Sequence, residues 1–212
     1  MSEPTALGDL ELAALVSSRI CHDVINPVSA ISNGLEMLAE GPDQAMRDAA
    51  MDLIRKSTAQ ASAKLQFARL AFGAAGSAGA EIDLRDAEKV AREFVGGSGK
   101  HQVDWQGPAV TLPKNKVKLL LNLVALGAVA LPRGGRVNVE IGGTPSSVSF
   151  VVRAGGDSAR LADQVKSLLA GTNGVAVDAH SIQPYYARRV AAAAGMTITV
   201  EVREGEVAFK AA

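Results

Sequence analysis

The sequence predicts an α+β protein in two parts, a helical hairpin over residues 1–75 and a mixed sheet with helices on one face over residues 76–212. Three observations carry this reading. Apolar residues recur at helical spacing in two long stretches between Asp9 and Phe72; Gly73 to Ala80 (GAAGSAGA) then reads as a flexible linker; beyond it, short alternating strands interleave with helices as far as Lys210.

In the first part, Gly41-Pro42-Asp43 supplies a C-terminal glycine, a helix breaker and an N-cap between the two helices. The first helix carries an apolar stripe of Ile20, Val24, Ile31, Leu35 and Leu38, and the second one of Met46, Ala50, Leu53, Ala61, Leu65, Ala68 and Phe72. A single hairpin cannot enclose both stripes. Two copies forming a four-helix bundle can, which predicts a homodimer.

The second part reads as a strand (Glu81 to Leu84), a helix (Asp86 to Val95), a strand (Gln102 to Trp105) and a helix from about Pro113. Strands Arg136 to Ile141 and Ser147 to Arg153 follow, joined by the turn Gly142-Gly143-Thr144-Pro145. Helices from Ala159 to Ala170 and from Pro184 to Ala194 precede a terminal hairpin of Thr197 to Val202 with Glu206 to Lys210.

Composition excludes several classes. The 212 residues hold 22 Lys+Arg against 22 Asp+Glu, and 48% are hydrophobic, so neither a disordered chain nor a polybasic nucleic-acid binder fits. Cys21 is the single cysteine, which excludes an internal disulfide or thiolate cluster and fits a reducing interior. Met1 to Leu10 contains Glu3 and Asp9 and does not read as a signal peptide. The longest apolar run, Leu119 to Leu131, contains Asn122 and is shorter than the ~20 residues a bilayer span needs. A soluble, cytoplasmic protein with no membrane contact is expected.

His22 lies almost opposite the apolar stripe of its helix at ~100° per residue, among Ser18, Arg19, Asn26, Ser29, Asn33 and Glu36. The segment is His22-Asp23-Val24-Ile25-Asn26-Pro27. Asn26 follows His22 by one turn, and Asp23 is placed to orient the imidazole or take its proton. Pro27 costs ~3 kcal/mol inside a helix and frees the carbonyl of Asp23, a local violation of the kind found at functional sites. His101 and His180 have no ligand-spaced partners and are read as surface or structural residues. Trp105 reads as strand core, and Gly96-Gly97-Ser98-Gly99-Lys100 and Gly171-Thr172-Asn173-Gly174 as turns rather than phosphate loops.

His-Asp-x-x-Asn-Pro resembles the phosphoacceptor motif of two-component histidine kinases, and the order of hairpin, linker and α/β part is similar to theirs. The resemblance implies that the second part is a Bergerat-type ATP-binding fold, and there the nucleotide residues are missing. In Asn122-Leu123-Val124-Ala125-Leu126-Gly127-Ala128-Val129-Ala130-Leu131-Pro132, Asn122, Leu123 and Pro132 keep the family's register, but Leu126 replaces its magnesium-binding Asn and Val129 its Lys. Ala154 stands where the family has the Asp that reads adenine, Asp157 lies too far along to replace it, and His180-Ser181-Ile182-Gln183-Pro184 replaces the glycine-rich lid.

A kinase-shaped chain with a phosphoacceptor motif and no nucleotide ligands resembles ChpT-type histidine phosphotransferases. That resemblance implies a relay between receiver-domain aspartates through phosphohistidine at His22, with Asp23 and Asn26 assisting. A CckA-like hybrid kinase would supply the phosphoryl group, and CtrA-like and CpdR-like regulators would accept it. No cofactor or metal is expected in this chain, magnesium being held by the receiver. Arg19, Leu15, Ser18 and Ser29 are the candidate receiver-binding residues, Leu15 having core packing as its alternative. Two rival readings are a true histidine kinase and a non-catalytic adaptor or kinase inhibitor. Hydrolysis of receiver phosphate, with water placed by Asp23 and Asn26, is also open.

Overall fold

In a computed structural model, residues 7–73, 80–97, 99–144 and 147–212 are described. Helix α1 (Asp9–Ala39) and helix α2 (Gln44–Ala71) form an antiparallel hairpin. The turn follows the expected chemistry: Gly41 adopts a positive φ of 71°, and the Asp43 carboxylate accepts a hydrogen bond from the Met46 N–H at 2.9 Å. The helices pack tightly at buried Gly34, where a Cβ would meet Ile54 Cγ1 at 2.6 Å. Of the expected linker, residues 74–79 lie outside the described residues, as do Ser98 and the Pro145 of the strand turn.

The second part runs β1 (Glu81–Asp83), α3 (Leu84–Gly96), β2 (His101–Gln106), β3 (Thr111–Pro113), α4 (Lys114–Val129), β4 (Gly135–Thr144), β5 (Ser147–Gly155), α5 (Asp163–Ala170), α6 (Ile182–Ala193), β6 (Ile198–Arg203) and β7 (Glu206–Ala211). Five strands form a mixed sheet in the order β2-β4-β5-β7-β6, with β2 parallel to β4 and the other pairs antiparallel. Strand β3, which the sequence reading missed, pairs with β1 in a separate two-stranded ladder. Its three residues are too few to show a period of two. Helix α5 begins at Asp163 rather than Ala159, because the chain after β5 first turns back onto α4, where the Arg160 N–H donates to the Ala130 carbonyl.

One face of the sheet is apolar and buried, with Val137 opposite Ala154, and Val139 opposite Val152, which faces Phe209. The other face is polar and laced by ion pairs, such as Arg136–Asp104 at 2.6 Å, Arg153–Glu140 and Lys210–Glu201. Helix α4 lies on the apolar face. Leu119, Leu120, Leu121, Leu123 and Val124 are all fully buried, as an all-round apolar helix requires. Among the described residues, no helix is long and apolar enough to cross a membrane.

The hairpin is not a separate body. Phe67, Leu70 and Ala71 of α2 belong to the same core as α3, α4 and the sheet. The Phe67 ring stacks on Phe94 with centroids 3.8 Å apart, and Asn122 Nδ2 donates to the Ala71 carbonyl at 3.2 Å. At the other end, Leu12, Leu15 and Val16 of α1 pack on Leu168, Ile182 and Tyr185, while the Tyr185 hydroxyl accepts from the Leu7 N–H at 2.9 Å. Helix α1 is thereby pinned to α6 and α2 to α3 and α4. Phe67→Ala removes the buried ring at this seam and should lower stability by about 3–5 kcal/mol, read by urea unfolding of the full chain.

Candidate functional site

His22 lies in the middle of α1, a helix that continues unbroken through Pro27. Its side chain is 50% exposed, and its Nδ1 faces Asp23 Oδ1 at 3.4 Å. The second oxygen of Asp23 accepts from Arg19 Nε at 2.8 Å, so the carboxylate is shared between imidazole and guanidinium. Ser18, Asn26 and Ser29 are exposed on the same helical face and continue its polar surface.

The backbone defect at Pro27 has an answer in the structure. Proline cannot donate to the Asp23 carbonyl four residues earlier, and Lys64 of α2 fills that place, its Nζ donating at 2.7 Å. Motif reading identified the orphan carbonyl but not its partner, because Lys64 is 41 residues away and its pattern is that of an ordinary half-exposed helix cation.

Two of the candidate receiver-binding residues make contacts within the chain. Arg19 is a clamp rather than an open surface charge: it is only 18% exposed, it pairs with Asp23, and its Nη1 donates to the His180 carbonyl at 3.0 Å. Leu15 sits half-buried against the Leu168–Ile182–Tyr185 cluster, so it takes the packing role. The α6 end of the second part covers the His22 face on its N-terminal side. The accessible face therefore runs from Ser18 and His22 toward Asn26 and Ser29.

The reading of His180 also changes. Its ring meets the His22 ring edge to face, with centroids 4.8 Å apart at 83°. The turn that presents it is built on Asp178, whose carboxylate accepts from the Ser181 hydroxyl at 2.7 Å and from the Ser181 and His180 N–H groups at 2.8 and 3.0 Å. Those bonds, led by the Ser181 hydroxyl, hold the Asp178 carboxyl below the ordinary carboxylate range. A segment 158 residues from His22 gives no local signal of this meeting. The other histidine, His101, has a structural bond, its Nε2 lying 2.8 Å from the Leu131 carbonyl.

Of the three residues that the resemblance sets against a kinase's nucleotide ligands, Leu126 and Ala154 are buried in the core, and Val129 is exposed. Asn122 is buried, and its amide donates to the Lys118 and Ala71 carbonyls. Burial, and then repulsion from Lys114, pushes the Lys118 ammonium below its usual range. Among the described residues, no group of three His, Cys, Asp or Glu side chains is arranged to hold a metal.

An exposed histidine beside a carboxylate thus lies on a helical hairpin that is backed by an α/β layer. The family model described as "Histidine phosphotransferase C-terminal domain" matches residues 84–206. The chain is 47% identical over all 212 residues to the protein phosphotransferase ChpT of Brucella abortus, covering the whole of both chains. A solved bacterial phosphotransferase superposes with a TM-score of 0.90 at 45% identity, again over the whole of both chains. The histidine kinase ThkA, solved in complex with the response regulator TrrA, shares the fold at a TM-score of 0.51 and 15% identity, over 95% of this chain and 61% of ThkA. The chain belongs to the histidine phosphotransferase family of the ChpT type and is a phosphotransferase.

Lys64→Met leaves the Asp23 carbonyl without its partner and should lower stability by about 1–3 kcal/mol, with Lys64→Arg recovering most of it in the same urea titration.

Proposed function

We propose that this phosphotransferase relays a phosphoryl group between receiver-domain aspartates through phosphohistidine at His22 and does so without binding ATP. The observation that carries the proposal is the half-exposed His22 ring with Nδ1 turned to Asp23, which leaves Nε2 to face an incoming group. The Nε2 lone pair attacks phosphorus, the bond to the receiver's carboxylate oxygen breaks, and that carboxylate leaves. The ring proton stays on Nδ1, where Asp23 compensates the charge that develops on the imidazole. A second receiver's carboxylate then reverses the step.

Positioning and charge compensation supply most of the catalysis in phosphoryl transfer. In this reading Asn26, exposed one turn beyond His22, donates to a phosphoryl oxygen. The cation belongs to the receiver: the Asp23 carboxylate beside His22 is already committed to Arg19, which makes a poor magnesium site. Leu126 and Ala154 offer no oxygen ligand or hydrogen bond to a nucleotide, which supports the ATP-independent reading. The partners fitting the exposed Ser18–Ser29 face are receiver domains of a CckA-like hybrid kinase and of CtrA-like and CpdR-like regulators.

The working unit is a homodimer. Ile25, Val28 and Leu35 fall on one face of α1 and remain exposed, Ile25 and Leu35 by more than half, and Met46 and Leu65 of α2 are likewise half exposed. A second hairpin would cover these residues and complete a four-helix bundle.

The deciding experiment is reconstituted transfer from a phosphorylated receiver to a second receiver. His22→Ala should abolish both labelling of the chain and onward transfer while the receiver still binds; transfer that survives the substitution would overturn the relay. Leu35→Glu should shift the chain from dimer toward monomer in light scattering, and an unchanged mass would remove the bundle.

A further inference from the structure

The turn before α6 is fixed more firmly than a connection between elements needs. Asp178 accepts three hydrogen bonds within it, and Arg19 reaches across from α1 to hold the His180 carbonyl at 3.0 Å. The result is a ring from the α/β part set edge to face on the histidine of the hairpin, 4.8 Å between centroids. His22 needs such a neighbour. A half-exposed imidazole on a helix surface moves among rotamers, and its contact with Asp23, at 3.4 Å, is too long to hold it alone.

We propose that His180 is a positioning residue for phosphoryl transfer. Its ring holds the His22 imidazole with Nδ1 toward Asp23 and Nε2 outward, so the phosphoacceptor site is completed by the α/β part. This rests on the reading of His22 as the phosphoacceptor. His180 takes and gives no proton in the step: the Nε2–phosphorus bond forms, the receiver's phosphorus–oxygen bond breaks, and the Nδ1 proton stays in place. The requirement falls on ring shape, so phenylalanine should serve where alanine does not.

The test compares the full-length chain with His180→Ala and His180→Phe by two measurements. Ring-nitrogen NMR of 15N-histidine-labelled protein should show one Nδ1-protonated form of His22 in the unsubstituted chain and in His180→Phe, and averaged tautomers in His180→Ala. Identical His22 ring shifts in all three would overturn the proposal. In single-turnover transfer from a phosphorylated receiver, His180→Ala should lower the maximal rate about 3- to 10-fold, the worth of an aromatic pair, at an unchanged half-saturating receiver concentration. His180→Phe should stay within about twofold of the unsubstituted rate. A faster His180→Ala would show that His180 blocks access, and equal losses in both variants would show that its nitrogen chemistry is required; either result overturns the positioning role. If no phosphoryl group reaches His22 in the unsubstituted chain, the relay reading fails, and the ring shifts still decide whether His180 orients His22.

Discussion

Helix α4 is buried without a break from Val117 to Gly127, and such a leucine-rich segment must be covered on every face. The sheet covers one side, and α3 and α6 cover others. The remaining side takes the end of α2, through Phe67, Leu70 and Ala71. That requirement fixes where the hairpin docks. With α2 held there and the start of α1 held by Tyr185, the middle of α1 faces the turn before α6, and His22 meets His180. The position of His22 is in this sense a product of core packing some distance away.

Polar links adjust what packing sets. Arg19 serves Asp23 and the His180 carbonyl at once, joining the carboxylate beside the His22 ring to the turn before α6. Lys64 compensates the one helical hydrogen bond that Pro27 removes, at the carbonyl of the residue next to His22. Both cations come from ordinary helical positions. Each acts on the backbone or carboxylate around the imidazole rather than on the ring itself.

Much of this architecture could be read from residue order. The hairpin, its Gly41-Pro42-Asp43 turn and the order of most strands and helices follow from local periodicity and turn chemistry, which short-range sequence records well. Strand β3 and the start of α5 did not, since each is set by a partner distant in the chain, β1 in one case and the end of α4 in the other. The same division runs through the site. His22, Asp23, Asn26 and the orphaned carbonyl are adjacent in sequence and could be recognised together. Lys64 and His180 join them only in three dimensions, and Leu15 and Arg19, which share the His22 face by helical geometry, are withdrawn from solvent by a domain whose placement no local pattern encodes.

The buried Leu126 and Ala154 have a thermodynamic consequence for the proposed relay. A chain that draws no phosphoryl group from a nucleotide has no energy source of its own, so it can lower the barrier between two receivers but cannot set which of them ends up charged. The direction of flow then belongs to the partners: to the relative free energies of their aspartyl phosphates and to how fast each is filled and emptied. Such a chain conducts in both directions, and reversing a signal through it requires only that the upstream partner begin to discharge.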